Sequence, residues 1–376
     1  HLSIRRQRQM CIRDRVSRVA DIPAENVRFH QTYLGGGFGR RGSPSHIIEA
    51  TEIAKVSGKP IQLVWTREDD IQQGPFRPAS LMRIKAGIDH DGNLIAWDAA
   101  RAGADISPDT FRSLLPALYS WMGDGMIEGV ANLSEWYFEK FATDESSTEG
   151  LFEDYDHPNT RVTHMTVDHE LPMTFWRSVG HSYTAFAKES MIDEIAEAAG
   201  MDEVAFRLQN TQNAPRLNNV IRVAGEHMAK MNPPAGHHLG FAAHHSFYTD
   251  VAEIAEVSVE NGKIRVHKVT CVLDCGQAVN PDIVRSQIEG GVIYGLTATL
   301  YGGLNLEAGA IKESNFHDYP MLRMNESPEI EVVIIDSGTK PTGVGEPGLP
   351  PIAPAVANAV YKATGQRLRS LPLQLT

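Results

Sequence analysis

A run from Val251 to Val259, alternating apolar and polar over Ala255–Val259, turns at Asn261-Gly262 and returns from Ile264 to Cys271. Alternation is the mark of a strand, and Asn-Gly supplies the two left-handed residues of a type I′ turn, so this stretch predicts an antiparallel hairpin. Leu81 to Ile88 and Leu94 to Ala100 repeat the design around His90-Asp91-Gly92-Asn93. Two hairpins about 170 residues apart predict two related subdomains of mixed helix and sheet, an α+β fold with mixed sheets, hairpins and packed helices.

The other elements follow from local signals. Val27 to Leu34 and Ile61 to Trp65 read as strands. Ser43 as N-cap and Pro44 at the first helical position open a helix to Ser57, striped by Ile47, Ala50, Thr51 and Ala54 and stopped by Gly58. Further helices are expected over Ser182–Ala199, from Asp202 to Leu208, and from Asn280-Pro281 to about Leu300. The last carries Gly290, Gly291 and Gly295, which cost roughly 1 kcal/mol each against alanine, so close approach of a backbone or ligand is expected to compensate. Pro350-Pro351 leads into a small-residue helix, Ala355 to Val360, closed by Gly365. Ser107 to Asn159 reads as irregular, and its acidic part, Thr143 to His157, as a surface excursion serving as lid or partner-facing loop. Thr211 to His238 reads as a linker, giving subdomains at 16–213 and 239–376 with the linker at 214–238.

Composition bounds the function. The chain has 376 residues, is 42% apolar and carries a net charge of −12. Its first fifteen residues hold five arginines against one aspartate, a net +4, so the remainder carries −16. An acidic body without a basic stripe repels nucleic acid. No run approaches the roughly 18 apolar residues of a membrane span. The segment 1–15 fits neither a signal peptide nor a helix and reads as a non-native or artefactual segment. The cysteines, Cys11, Cys271 and Cys275, are too few for a disulfide framework, and the latter two read as buried small apolar residues on a strand.

Four places carry chemistry. Gly345-Glu346-Pro347-Gly348 puts one carboxylate in a turn whose neighbours offer it no polar side chain, the setting of a general base. Gly35 to Arg41 can press bare N–H groups against a large anion. The same loop satisfies G-x-G-x-x-G over Gly37–Gly42, which keeps a nicotinamide or flavin dinucleotide site, and an NAD(P)-dependent oxidoreductase, in play. Arg177, in an apolar stretch, needs an anion or a distant carboxylate. Gln287, on the glycine-rich helix, can donate and accept at once. The histidines show no metal-ligand spacing, and no nucleophile elbow is present.

Taken in order, Gly35–Arg41, Trp176-Arg177-Ser178-Val179-Gly180-His181-Ser182, Asp274-Cys275-Gly276 with Asn280-Pro281, Gln287-Ile288-Glu289-Gly290-Gly291 and Gly343–Gly348 resemble the molybdenum-binding subunit of the xanthine dehydrogenase and aldehyde oxidase family. The resemblance runs from about Val16 to the end and is nearest to the large subunits of the isoquinoline 1-oxidoreductase branch. It implies two subdomains that bind a molybdenum-molybdopterin cofactor, in its cytosine dinucleotide form. It implies that Gly36, Gly37, Phe38, Gly39, Arg40, Arg177 and Gln287 contact the cofactor, that Glu346 is the catalytic base, and that no protein side chain ligates the metal. The reaction implied is hydroxylation of an aldehyde or N-heteroaromatic ring with water as the oxygen source. The chain lacks a cysteine pattern for iron–sulfur clusters, so the resemblance implies a small partner subunit with two [2Fe-2S] clusters. Family subunits are about twice this long and carry a Met-Gly-Gln-Gly loop absent here, so the chain reads as a C-terminal fragment needing the missing N-terminal half. The rival of another class is a non-catalytic remnant that only binds the iron–sulfur subunit.

Overall fold

The computed structural model describes residues 12–108, 115, 122–140, 142–167 and 171–375. Two compact units are interleaved along the chain. Unit 1 takes residues up to 79, 103–147 and 165–176, and unit 2 takes 80–102, 148–164 and 177 onward. Most of the expected non-native segment, Cys11 included, lies outside the described residues. Residues 12–20 are helical, contrary to the expectation for 12–15, because Ile12, Val16 and Ala20 recur at helical spacing.

In unit 1, α1 (Ser45–Ser57) ends as expected, with Gly58 in the left-handed region at φ 62°. Its stripe Ile47, Ala50, Thr51 and Ala54 lines an open groove with Val16 and Ala20. A short helix α2 (Arg67–Gln73) follows, its N-cap Thr66 and Asp69 forming a reciprocal capping box. The two strands expected at 27–34 and 61–65 do not form. An alternating pattern becomes a strand only where a ladder partner satisfies its backbone. The stretch expected to be irregular contains α3 (Asp124–Lys140) and α4 (Glu145–Thr148).

Unit 2 holds the two predicted hairpins. Strands β1 (Ser80–Ile88), β2 (Leu94–Gly103) and β3 (Asn159–Thr166) form a sheet in that order, its last residues running on into unit 1. The Asp89 carboxylate accepts from the backbone of Asp91 and Asn93 and shapes the first turn. The larger sheet runs β4 (His237–Ser246), β5 (Thr249–Glu260), β6 (Lys263–Asp274), then β9 (Glu329–Ile335). The first three pair antiparallel, and β9 joins β6 in parallel. A two-stranded ribbon, β7 (Leu306–Glu307) with β8 (Ala310–Ile311), stands apart from it. The turn between β5 and β6 is the predicted one, Asn261 at φ 52° and Gly262 at φ 73°.

Helix α5 (His181–Ala198) and the short α6 (Glu203–Gln209) appear where expected, the latter capped by Asp202. The expected linker is instead largely ordered structure. Leu217, Val220, Ile221 and Ala224 stripe α7 (Pro215–Met228) and are buried with Phe241, Ile254 and Val272 on one face of the large sheet. Each Leu, Val or Ile among them gains about 1.5–3 kcal/mol on burial, a gain that a solvated linker would forgo. The opposite face packs on α8 (Pro281–Leu300) and α9 (Ile352–Thr364) through Ile288, Val292, Leu296, Val356 and Val360. Covered on both sides, β5 is buried along almost its whole length. The acidic stretch Thr143–His157 is no surface excursion either: Leu151 is fully buried in unit 2 and the Asp154 carboxylate pairs with the buried Lys188.

Candidate active site

The glycine-rich helix explains the rest of the site. Asn280 caps α8 by accepting from the amides of Asp282 and Ile283. A Cβ on Gly291 would lie 3.0 Å from the carbonyl carbon of Gly348, and one on Gly295 would meet Ile352 at 2.5 Å. The expected close approach is therefore that of the Gly343–Gly348 loop and the start of α9. A Cβ on Gly348 would in turn stand 3.1 Å from the Cα of Ile288. Proline-rich Pro347–Pro351 is buried and fixes the loop against α9.

Arg177 is also buried. Its Nε donates to the Gly345 carbonyl at 2.8 Å, and its Nη2 donates to that oxygen and to the Gln287 carbonyl at 3.0 Å. Among the described residues it forms no salt bridge, so carbonyls rather than a carboxylate receive the guanidinium. Burial draws its pKa below the ordinary arginine value, opposed by Tyr294 and Glu346. The Nη1 edge donates to none of them, and it lies 3.8 Å from where a Cβ on Gly290 would stand.

Glu346 is not left unsatisfied as its neighbours suggest. The Ser178 amide donates to Glu346 Oε1 at 3.0 Å, and the Ser178 hydroxyl donates to the Glu346 main-chain oxygen at 2.8 Å. Ser178 and Val179 hold φ values of 72° and 48°, strained conformations that cost roughly 1–3 kcal/mol each and collect at functional sites. Gln287 contributes its carbonyl to Arg177, while its side-chain oxygen stands 3.8 Å from where a Cβ on Gly345 would be. Arg177, Gln287 and Glu346 thus converge within unit 2. Ser178 is the residue that sequence reasoning missed, since its partner lies 168 positions away.

The glycine loop belongs to unit 1. Gly36 and Gly39 hold φ values of 110° and 90°, and Phe38 holds 50°. A Cβ on Gly39 would fall 1.7 Å from the Phe175 carbonyl oxygen, so only glycine fits there. Arg40 donates to the Ser45 hydroxyl at 3.1 Å and lies over the Trp65 ring at 5.4 Å. Among the described residues no strand precedes the loop, a 3-10 turn Arg40–Gly42 follows it, and the next sheet begins with a hairpin. The dinucleotide reading of Gly37–Gly42 is therefore corrected, since it requires a strand before the glycines and a parallel unit after them.

Two histidines lie deeper in unit 2. The His181 and His244 rings share a hydrogen bond of 2.9 Å. Burial first, then the Lys188 charge, pushes His181 down to about 3 and His244 well below its usual value, so both are neutral.

Residues 176–328 match a family model described as a molybdopterin cofactor-binding domain, and residues 1–105 with 136–211 match a second model of the same description. The chain is 33% identical over 364 residues to the beta subunit of isoquinoline 1-oxidoreductase from Brevundimonas diminuta, covering 95% of this chain and 44% of that one. It is 29% identical over 399 residues to a membrane-bound, pyrroloquinoline-quinone aldehyde dehydrogenase of Gluconacetobacter polyoxogenes, covering 98% of this chain and 48% of that one. The chain thus spans about half the length of these curated relatives. Among solved structures, quinoline 2-oxidoreductase from Pseudomonas putida 86 shares the fold with a TM-score of 0.75 at 13% identity, over 95% of this chain and 68% of that one.

Proposed function

The chain belongs to the family of molybdopterin cofactor-binding domains, and from that premise we propose that it is the catalytic portion of a molybdenum hydroxylase large subunit, with Glu346 as general base. The observation that carries this reading is that Arg177 hydrogen-bonds the Gly345 and Gln287 carbonyls beside Glu346, while its Nη1 edge and the Gln287 side chain stand next to the bare backbone of Gly290 and Gly345 in unit 2.

The residues fit a bulky anionic cofactor. Side chains are missing where a ligand would need the main chain, at Gly290 and Gly345, and a cationic edge faces that gap. In unit 1, Gly36, Gly37, Phe38, Gly39 and Arg40 would offer backbone N–H groups, Arg40 through its main chain because its guanidinium is held by Ser45 and Trp65. When bound, the molybdenum cofactor supplies the two-electron oxidation that hydroxylates an electron-poor sp² carbon with oxygen from water. Glu346 accepts the proton that the attacking oxygen releases, with the Ser178 amide fixing Oε1. Arg177 holds the loop through Gly345 and presents Nη1 to the cofactor, and Gln287 offers it a donor and an acceptor.

The substrate class we assign is an aldehyde or an N-heteroaromatic ring, the compounds named in the relatives. The cofactor is assigned its cytosine dinucleotide form. Electrons leave through a small subunit with [2Fe-2S] clusters, and the remainder of a full-length large subunit completes the assembly. The test is Glu346→Gln in the complete, metal-loaded enzyme, assayed with isoquinoline and benzaldehyde and an artificial dye as acceptor. Turnover is expected to vanish while molybdenum per chain stays at the wild-type level. Retained turnover, or a purified enzyme that holds a quinone and no molybdenum, overturns the reading.

A further inference from the structure

Residues 177 and 178 grip residues 345 and 346 one for one. Arg177 holds the Gly345 carbonyl, and the next residue holds Glu346 twice, by its amide and by its hydroxyl. Ser178 is fully buried, so no solvent competes for either bond. An ordinary backbone at Ser178 and Val179 would turn that amide elsewhere. Both adopt positive φ, a conformation that serine and a β-branched valine reach only under constraint. Directly after them Gly180 caps α5, whose first turn is closed by the Ser182 and Tyr183 amides on the Val179 and Gly180 carbonyls. The strained pair is therefore anchored by a helix on one side and by Arg177 on the other. Such an arrangement aims one N–H at one carboxylate oxygen without the mobility of a side-chain donor.

We infer that Ser178 is a positioning residue for Glu346, its hydroxyl fixing the main chain of the base and its strained amide fixing the carboxylate in one orientation. This rests on the reading of Glu346 as the base. It assigns Ser178 no contact with substrate or cofactor. Misplacing a reacting group by about an ångström can cost a hundredfold in rate, so loss of one of the two tethers should be read in kcat.

The experiment uses the complete, metal-loaded enzyme with benzaldehyde and isoquinoline as probes. Ser178→Ala removes the hydroxyl tether and keeps the amide. Ser178→Gly removes the same tether and tolerates the left-handed backbone, so it folds even where alanine does not. Expected in both is a kcat roughly tenfold or more below wild type, KM within twofold, and unchanged molybdenum per chain. Amide hydrogen exchange over residues 343–349 should quicken in the same variants. Wild-type kcat in both variants overturns the inference, as does a fall in kcat matched by an equal fall in metal content. Glu346→Gln assayed alongside separates the two claims. If it retains turnover, the base reading has failed; if it is inactive while both Ser178 variants keep wild-type kcat, only the positioning role has failed.

Discussion

Glu253 and Cys271 face each other across β5 and β6, both fully buried, with the Cys271 thiol donating to Glu253 Oε1 at 3.4 Å. Among the described residues its Oε2 has no hydrogen bond. Burial pushes this carboxyl from the ordinary 4.5 up to about 8, with only the thiol bond opposing. Between those values the folded protein keeps a proton that the unfolded chain has released. Stability attributable to Glu253 is therefore whole below pH 4.5 and is lost as pH rises toward 8. The slope is about 1.4 kcal/mol per pH unit within that window. Urea denaturation of wild type and Glu253→Gln at pH 5, 6, 7 and 8 should show the variant with the flatter dependence. Parallel curves would mean that Glu253 does not hold its proton in the fold.

Two glycines of unit 2 should respond to alanine in opposite ways. On β4, a Cβ at Gly240 would lie 2.1 Å from the Ala355 carbonyl oxygen and 2.3 Å from the Ala359 nitrogen of α9. Strand and helix would have to separate, at a cost of about 3 kcal/mol or more. At Gly290, inside α8, the added methyl meets only Arg177 Nη1 at an ordinary 3.8 Å. Helix propensity then favours Gly290→Ala by about 1 kcal/mol. Denaturation midpoints check both signs. On the proposed function, Gly290→Ala should also lower molybdenum per chain despite its gain in stability, because the methyl fills space assigned to the cofactor.

What the sequence made legible were features whose cause is local. Asn261-Gly262 demanded a hairpin, Asn280 and Pro281 a helix start, and Gly58 and Gly365 helix ends, and each is in place. The glycines of α8 call for a close backbone, and the Gly348 loop supplies it. The errors have identifiable causes. Strands at 27–34 and 61–65 were inferred from period alone, which says nothing of a ladder partner. The helix Pro215–Met228 was hidden by the Asn, Pro and His around it, although Leu217, Val220, Ile221 and Ala224 keep its period. The ordered motifs single out Arg177, Gln287 and Glu346, and unit 2 brings the three together. They do not single out Ser178, because its role depends on a non-local hydrogen bond and on a backbone conformation that no serine signals.

A fully buried ionic group ties α5 to its neighbours. Glu189 accepts from the Tyr155 hydroxyl at 2.8 Å, from Arg207 Nε at 3.0 Å and from the Ala243 amide at 3.0 Å. Burial disfavours the Arg207 charge, but Glu189, Tyr155 and Asp193 together hold its pKa above the usual value. Removing Glu189 leaves the buried Arg207 with only the looser carboxylate contact of Asp193 at 3.8 Å. Glu189→Ala should therefore cost about 3–5 kcal/mol. Tyr155→Phe, which deletes a single bond to the same buried carboxylate, should cost less, about 1.5–3 kcal/mol. Chemical denaturation of the two variants tests the order, and equal losses would mean that the ion pair contributes no more than the hydroxyl.

Arg177→Lys distinguishes holding the cofactor from performing the reaction. Arginine reaches the Gly345 and Gln287 carbonyls with one planar group and leaves Nη1 to spare. An ammonium is a single flexible point of charge that cannot keep both carbonyls and still face outward. With both carbonyls retained in the protein but only one served, stability should fall by about 1–3 kcal/mol. The larger effect should be on occupancy, with molybdenum per chain falling severalfold and turnover falling at least in proportion, because a weaker grip on Gly345 also loosens the loop that carries Glu346. That pattern differs from the one expected for Glu346→Gln, where metal remains and turnover is lost. Metal analysis of the two variants, purified side by side, therefore separates the roles. A fully loaded Arg177→Lys enzyme with wild-type turnover would show that the guanidinium serves the loop alone.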